Sequence, residues 1–157
     1  MENASDIRFT FLTRDDNDAL RDLYVQVFGR QVGEQYFVVK YGLDIPNFDQ
    51  FSVVAKKSNQ VIGFFGGIKQ HFVNQEGRQM TMMSCGDYLL LKEYRGLGVF
   101  DQLYQVILQK TIQQKFDYIY AFNSMQTHKI AKKWGWSDEV GMCRLQINMY
   151  PFSTSKL

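Results

Sequence analysis

The feature that most constrains the fold is a change in side-chain spacing within residues 79–111. Residues 79–92 favour one long strand. The side chains that follow recur at intervals of three and four, as on one face of a helix: Phe100, Leu103, Tyr104, Ile107, Leu108 and Thr111. Residues 93–100 (EYRGLGVF) join the two segments and contain Gly96 and Gly98. The sequence therefore predicts a strand, a glycine-containing turn and a helix in direct succession.

The rest of the chain extends this pattern on both sides. Predicted strands occupy six segments: 7–12, 51–56, 61–72, 79–92, 117–122 and 140–149. Predicted helices occupy four segments: 20–28, 32–42, 100–111 and 127–134. The element order is β-α-α-β-β-β-α-β-α-β, and its β-α-β unit requires two parallel strands. We therefore expect an α/β (α+β) fold with a mixed sheet.

Composition narrows the class of protein. The 157 residues are the size of one domain, so we expect a single domain over 1–157 with a disordered tail at 153–157. The 18 basic and 16 acidic side chains give a net charge of +2, which provides no electrostatic argument for binding nucleic acid or a membrane surface. Cys85 and Cys143 form neither a zinc motif nor a disulfide framework. With no apolar leader at the N-terminus, we expect a cytoplasmic protein without a metal site.

The turn at residues 95–99 predicts an anion site. Two glycines at i and i+2 allow a sharp turn that exposes backbone N–H groups at the positive end of a helix, where phosphate binds. Arg95 adds a permanently charged donor. A P-loop would continue with Gly-Lys-Ser/Thr, and a dinucleotide fingerprint would have a third glycine where Asp101 stands. Of the three types of phosphate site that use glycines in this way, the acyl-CoA type is the one that these residues do not exclude.

Two motifs make the chain resemble the GNAT superfamily of acyl-CoA-dependent N-acetyltransferases. Residues 93–98 (EYRGLG) match its pyrophosphate motif x-x-Arg-Gly-x-Gly, and residues 132–136 (KKWGW) match the lysine-rich turn and Gly-aromatic pair after a later helix. The element order is also similar over nearly the whole chain. The resemblance implies the GNAT fold and transfer of an acetyl group from acetyl-CoA to a primary amine of a small molecule or amino sugar, by direct attack.

The resemblance also implies which residues hold the acetyl donor. Backbone N–H groups of residues 90–92 would polarise the thioester carbonyl and hold the pantetheine arm, and those of residues 96–99 would hold the pyrophosphate. Asn123 would either contact the pantetheine arm or cap the next helix. The implied cofactor-binding residues are Leu90, Leu91, Lys92, Arg95, Gly96, Leu97, Gly98, Val99, Phe100 and Asn123.

Two catalytic side chains are predicted, Asp87 and Tyr88. An alkylamine is mostly protonated at pH 7, so a base is needed, and Asp87 precedes the turn on the same strand. The alternative for Asp87 is a solvent-facing or strand-edge acid. Many relatives carry a tyrosine as the acid where this chain has Ala131. Without that tyrosine, Tyr88, Tyr118, Tyr120 or water would protonate the thiolate. Alternatively, the thiolate leaves without being protonated.

The sequence also allows two other functions, and it predicts a homodimer. Ala131 favours a non-catalytic acyl-CoA-binding or interaction module, and a protein or peptide N-acetyltransferase would differ only in its acceptor groove. The stretch 137–141 is too short and polar for a full strand and turn, so we expect the penultimate strand to be short or absent. The final strand would then expose an apolar edge, which predicts a homodimer.

Overall fold

The computed structural model describes residues 6–122 and 124–137, and the chain divides into two compact units, Met1–Ser124 and Met125–Leu157. The first unit contains a five-stranded sheet whose strands lie side by side in chain order: β1 (Ile7–Phe11), β2 (Val53–Lys57), β3 (Gln60–Val73), β4 (Gln79–Leu90) and β5 (Tyr118–Ala121). The first three pairings are antiparallel and β4 pairs with β5 in parallel. The predicted mixed sheet is confirmed.

Three helices belong to this unit: α1 (Asn17–Phe28), α2 (Tyr36–Lys40) and α3 (Val99–Gln113). The predicted helix over 32–42 is wrong in extent, because only five of its residues are helical. The predicted strand over 79–92 is also too long, since Lys92–Tyr94 forms a 3₁₀ turn. Among the described helices, none is long and apolar enough to cross a membrane.

The helices cover both faces of the sheet, and two neighbouring phenylalanines of β3 show how. Phe64 contacts the ring of Tyr41, which directly follows α2, at a centroid distance of 5.3 Å. Phe65 points to the opposite face, because strand side chains alternate, and packs on Phe100 of α3 at 5.6 Å. Both phenylalanines are fully buried. The core therefore lies on both sides of β3, with the glycine turn at one end of α3.

A β-bulge interrupts β4 next to this turn. Phe65 pairs with Tyr88, whereas Gly66 pairs with Gly86, so Asp87 is an extra residue in β4. Asp87 has a φ of 51°, a left-handed conformation that aspartate adopts more readily than most residues. A Cβ atom on Gly66 would overlap the Tyr41 hydroxyl and the Gly86 carbonyl oxygen. Glycine at position 66 therefore allows Tyr41 and the bulge to approach the same point.

In the second unit, the described residues form α4 (Met125–Lys133) and the turn that ends it. The N–H of Gly135, at a φ of 84°, donates to the Lys132 carbonyl oxygen at 3.1 Å. This agrees with the predicted helix over 127–134, and a left-handed glycine is a common way for a helix to end. The predicted final strand, the short penultimate strand and the tail at 153–157 lie outside the described residues. The homodimer, which depends on that final strand, stays a prediction.

Candidate functional site

The junction of β4 and α3 has the backbone geometry of an anion site. Gly96 and Gly98 have φ values of 77° and 74°, and Gly98 is the residue that caps α3. An ideal Cβ on either glycine would meet no described atom within 4 Å. These positions therefore require glycine for its conformation, and the space above them is open. The first N–H groups of a helix have no acceptor within the helix, so they face this space with the positive end of the dipole.

The side chains at the junction favour the same ligand. Arg95 is exposed, and Lys92 is exposed three residues earlier. Leu97, between the two glycines, is 49% exposed and does not pack into the core. Val99 is buried and fixes the first turn of α3 against the core. The junction thus combines a rigid helix start, open space and positive charge.

The edge of β4 that leads to this junction is partly open. Parallel pairing with β5 covers only residues 82–85 of β4 and ends at the Cys85–Ala121 pair. The Leu91 N–H donates to the Ile62 carbonyl oxygen at 3.0 Å, which places this donor on the β3 side. Because the ladder alternates, the backbone groups of Leu90 and Tyr88 point to the opposite edge. In the described part of the chain, no strand pairs with that edge beyond Cys85.

This alternation decides which of the residues implied to bind acetyl-CoA face the open edge of β4. Leu90 faces the open edge, whereas the Leu91 N–H is already used within the sheet and the Leu91 side chain is buried. The backbone of Tyr88 joins Leu90 at the open edge, a contribution that the sequence did not indicate. Predicting the orientation of the Tyr88 backbone requires the register between β3 and β4. Asn123 lies outside the described residues.

Asp87 is held by two donors from the segment at the end of α2. Its Oδ2 atom accepts a hydrogen bond from Lys40 Nζ at 2.6 Å and from the Tyr41 hydroxyl at 2.9 Å. The side chain of Asp87 is 20% exposed and that of Lys40 is 35% exposed. Asp87 is therefore not a simple solvent-facing acid. Lys40 and Tyr41 lie 47 and 46 positions away in the chain, and nothing in the sequence paired them with Asp87.

The electrostatics of this cluster keep both donors protonated. Burial lowers the pKa of Lys40, but the hydrogen bond and negative charge of Asp87 outweigh it, so the net effect raises that pKa. Burial, reinforced by the charge and hydrogen bond of Asp87, raises the pKa of Tyr41 far above its usual value. The cluster therefore contains one ammonium, one neutral phenol and the carboxylate between them.

Tyr88 lies on the other face of the sheet. Its ring packs on Phe65 at 4.6 Å and on Phe100 at 5.7 Å. Burial is the main cause that raises the pKa of Tyr88. Its hydroxyl therefore carries a proton at neutral pH. Of the other candidate acids, Tyr118 is exposed and the Tyr120 hydroxyl donates to Gln70 Oε1.

Neither a metal site nor a reactive cysteine is found among the described residues. No group of three or more His, Cys, Asp or Glu residues in residues 6–122 and 124–137 could hold a metal ion. Burial raises the pKa of the Cys85 thiol to about 12, so this thiol does not ionise at neutral pH. The remaining candidates among the described residues are the backbone donors of the junction, the Asp87 cluster and Tyr88.

No known family profile and no curated protein sequence matches the chain. Solved structures do match it. A Trypanosoma brucei acetyltransferase is 14% identical at a TM-score of 0.72, with 90% of this chain and 100% of that chain covered. A transcriptional regulator from Bacillus halodurans is 10% identical at a TM-score of 0.74, covering 90% and 99%.

An aminoglycoside N-acetyltransferase, AAC(6')-Iy, in complex with CoA, is 14% identical at a TM-score of 0.71, covering 91% and 95%. At these identities the likeness is one of fold, and it extends over nearly the full length of both chains. This chain has the fold of the GNAT acetyltransferases, as its two motifs predict.

Proposed function

We propose that the protein is an N-acetyltransferase that transfers an acetyl group from acetyl-CoA to a primary amine of a small molecule or amino sugar. The observation that carries the proposal is the β4–α3 junction, where an open strand edge leads into two left-handed glycines at a helix N-terminus. A protein with this fold binds CoA and is an aminoglycoside N-acetyltransferase. Its acceptor class supports an amino sugar here.

The donor would lie along β4 and across the turn. The N–H groups of residues 96–99 and the Arg95 side chain hold the pyrophosphate, because they combine open space with positive charge. The pantetheine arm follows the open edge, where Leu90 and Tyr88 present backbone groups. An N–H group on this edge polarises the thioester carbonyl and stabilises the oxyanion that forms.

The acceptor would meet the thioester at the bulge, since Asp87 is adjacent to Tyr88 on the same strand. The neutral amine attacks the carbonyl carbon, Asp87 accepts the proton that the nitrogen loses, and the carbon–sulfur bond breaks. A thiol has a pKa of about 8.5, so the thiolate leaves readily even without an acid. Tyr88, Tyr118, Tyr120 and water are the candidates for returning a proton to sulfur, and the raised pKa of Tyr88 weakens it as an acid.

One observation favours a different function. The transcriptional regulator has a TM-score of 0.74 to this chain, so this fold also occurs in a protein described by a regulatory role. A non-catalytic acyl-CoA-binding module would keep the junction and release no thiol. A protein or peptide N-acetyltransferase would keep the junction and release thiol, but its acceptor would be an amine of a protein or peptide.

Release of free thiol from acetyl-CoA, measured against a panel of amino sugars, alkylamines and peptides, tests these alternatives. We expect release that depends on the amine, and about a hundredfold lower kcat for Asp87→Asn at pH 7. Asp49→Asn is the matched control, because Asp49 also accepts from a lysine, Lys110, at 2.6 Å. CoA binding without amine-dependent release would favour the module, and preferential release with peptides would favour the peptide acetyltransferase.

A further inference from the structure

We propose that Lys40 is a displaceable counter-ion of Asp87, and that its ammonium occupies the place that the acceptor amine takes during the reaction. Lys40 is then a specificity-determining residue, because every acceptor has to compete with it for the same carboxylate. This inference rests on the proposed N-acetyltransferase function. It follows from a contrast between the two donors that hold Asp87.

The Asp87 side of the pair is fixed. The Tyr41 hydroxyl donates to Asp87 Oδ2 at 2.9 Å, and Tyr41 is only 2% exposed. The Tyr41 ring packs on Phe64 at 5.3 Å and on Phe37 at 6.2 Å. Because Asp87 also sits in the bulge, its carboxylate keeps its position when Lys40 leaves.

The Lys40 side of the pair is less constrained. Lys40 is the last residue of α2, a helix of five residues, and its side chain is 35% exposed. In its present position the ammonium already has a second partner besides Asp87. The Tyr36 hydroxyl lies 3.4 Å from Lys40 Nζ, and the Tyr36 ring centroid lies 5.4 Å from it. We expect the side chain to turn about these contacts, so that Tyr36 continues to hold the ammonium after Asp87 is released.

The acceptor and Lys40 present the same chemical group. A primary amine arrives at neutral pH mostly as an ammonium, and Lys40 is also an ammonium, with a pKa raised by its net interaction with Asp87. Two like charges a few ångströms apart on one carboxylate repel each other. The acceptor ammonium therefore binds Asp87 in exchange for Lys40. It passes one proton through the carboxylate to water, and Asp87, again ionised, accepts the second proton when the neutral amine attacks.

Substitution of Lys40 tests the exchange. Lys40→Met keeps the length of the side chain and removes its charge, and we expect the KM for the acceptor to fall roughly fivefold, as when a half-exposed ion pair no longer has to be broken. Lys40→Arg keeps the charge and offers a planar fork to the carboxylate, so we expect the KM to rise. Lys69→Met is the matched control, since Lys69 pairs with Asp49 at 3.9 Å and is 30% exposed.

Calorimetry with glucosamine, and with glucose as the probe that lacks the amine, separates this inference from the proposed function. Tighter glucosamine binding to Lys40→Met than to the natural chain, lost in the Lys40→Met, Asp87→Asn double variant, supports the exchange whether or not thiol is released. An unchanged or higher KM and dissociation constant in Lys40→Met overturns it, and higher values would indicate that Lys40 binds an acidic acceptor. Absence of glucosamine binding in every variant also overturns it. Amine-dependent thiol release with no change in KM or glucosamine affinity in Lys40→Met supports the proposed function and contradicts the exchange.

Discussion

The glycine turn follows the end of β4 and the Asp87 cluster is centred on β4, yet the two are built in different ways. The turn consists of residues 95–99, which are adjacent in sequence and would bind the donor through their backbone. The cluster joins side chains that lie 46 and 47 positions apart and that meet only when the segment around α2 packs on β4. A backbone site tolerates many side chains but few changes of conformation. A side-chain site depends on long-range packing and is sensitive to every atom that directs it.

The strongest test of this difference is at Gly98. We expect Gly98→Asp to weaken CoA binding more than a hundredfold, because it adds strain at a φ of 74° and a negative charge where phosphate approaches. Gly77→Asp is a control with the same added charge, a φ of 79° and equally open surroundings, in a hairpin turn away from the junction. Gly98→Asn separates the strain from the charge. Unchanged CoA affinity of Gly98→Asp by calorimetry would remove the junction from the donor site.

A smaller effect is expected at Gly66. A methyl group there overlaps the Tyr41 hydroxyl and the Gly86 carbonyl oxygen, so we expect Gly66→Ala to reduce the free energy of unfolding by about 1–3 kcal/mol. The folded fraction should bind CoA normally and show a changed KM for the acceptor. Gly33→Ala has no described atom within 4 Å of the new methyl group and serves as the control. A parallel loss of CoA affinity would mean that the two sites are not separable.

The smallest effect concerns the Tyr41 hydroxyl. We expect Tyr41→Phe to lose about 1 kcal/mol of stability at pH 7, the usual value of one hydrogen bond. Because folding raises the pKa of Tyr41, the stability that this shift contributes is complete below pH 10 and is lost as the pH rises further. Above pH 10, the free energy of unfolding should therefore fall less steeply in the variant than in the natural chain. The difference between the two slopes is about 1.4 kcal/mol per pH unit.

Urea unfolding at pH 7 and at pH 10.5 measures both parts of this prediction. Tyr118→Phe provides the control, since Tyr118 is 61% exposed. Cys85 contributes in the same direction, because burial raises its pKa to about 12, so some loss of stability in alkali remains in every variant. Equal slopes for Tyr41→Phe and the natural chain would show that the hydroxyl is not linked to folding.

The same comparison explains what the sequence predicted. The change of period at residues 93–100 is local information, so the strand, the turn and α3 follow from it. The short α2 does not, because Phe37 and Tyr41 are buried by packing on β3 rather than by a long helical face. The bulge at Asp87 and the inward N–H of Leu91 depend on the register between β3 and β4, which apolar spacing alone leaves undetermined.

The bulge also determines which deletions in β4 the sheet can absorb. Asp87 is the extra residue, so its deletion would make the Phe65–Tyr88 and Gly66–Gly86 pairs consecutive and leave the residues that follow on their present faces. Loss of one residue from a regularly paired part of β4 would instead turn the residues after it onto the opposite faces. We therefore expect a deletion at position 87 to remove the carboxylate of the proposed acceptor site while the open edge at Leu90 and the turn beyond it keep their places.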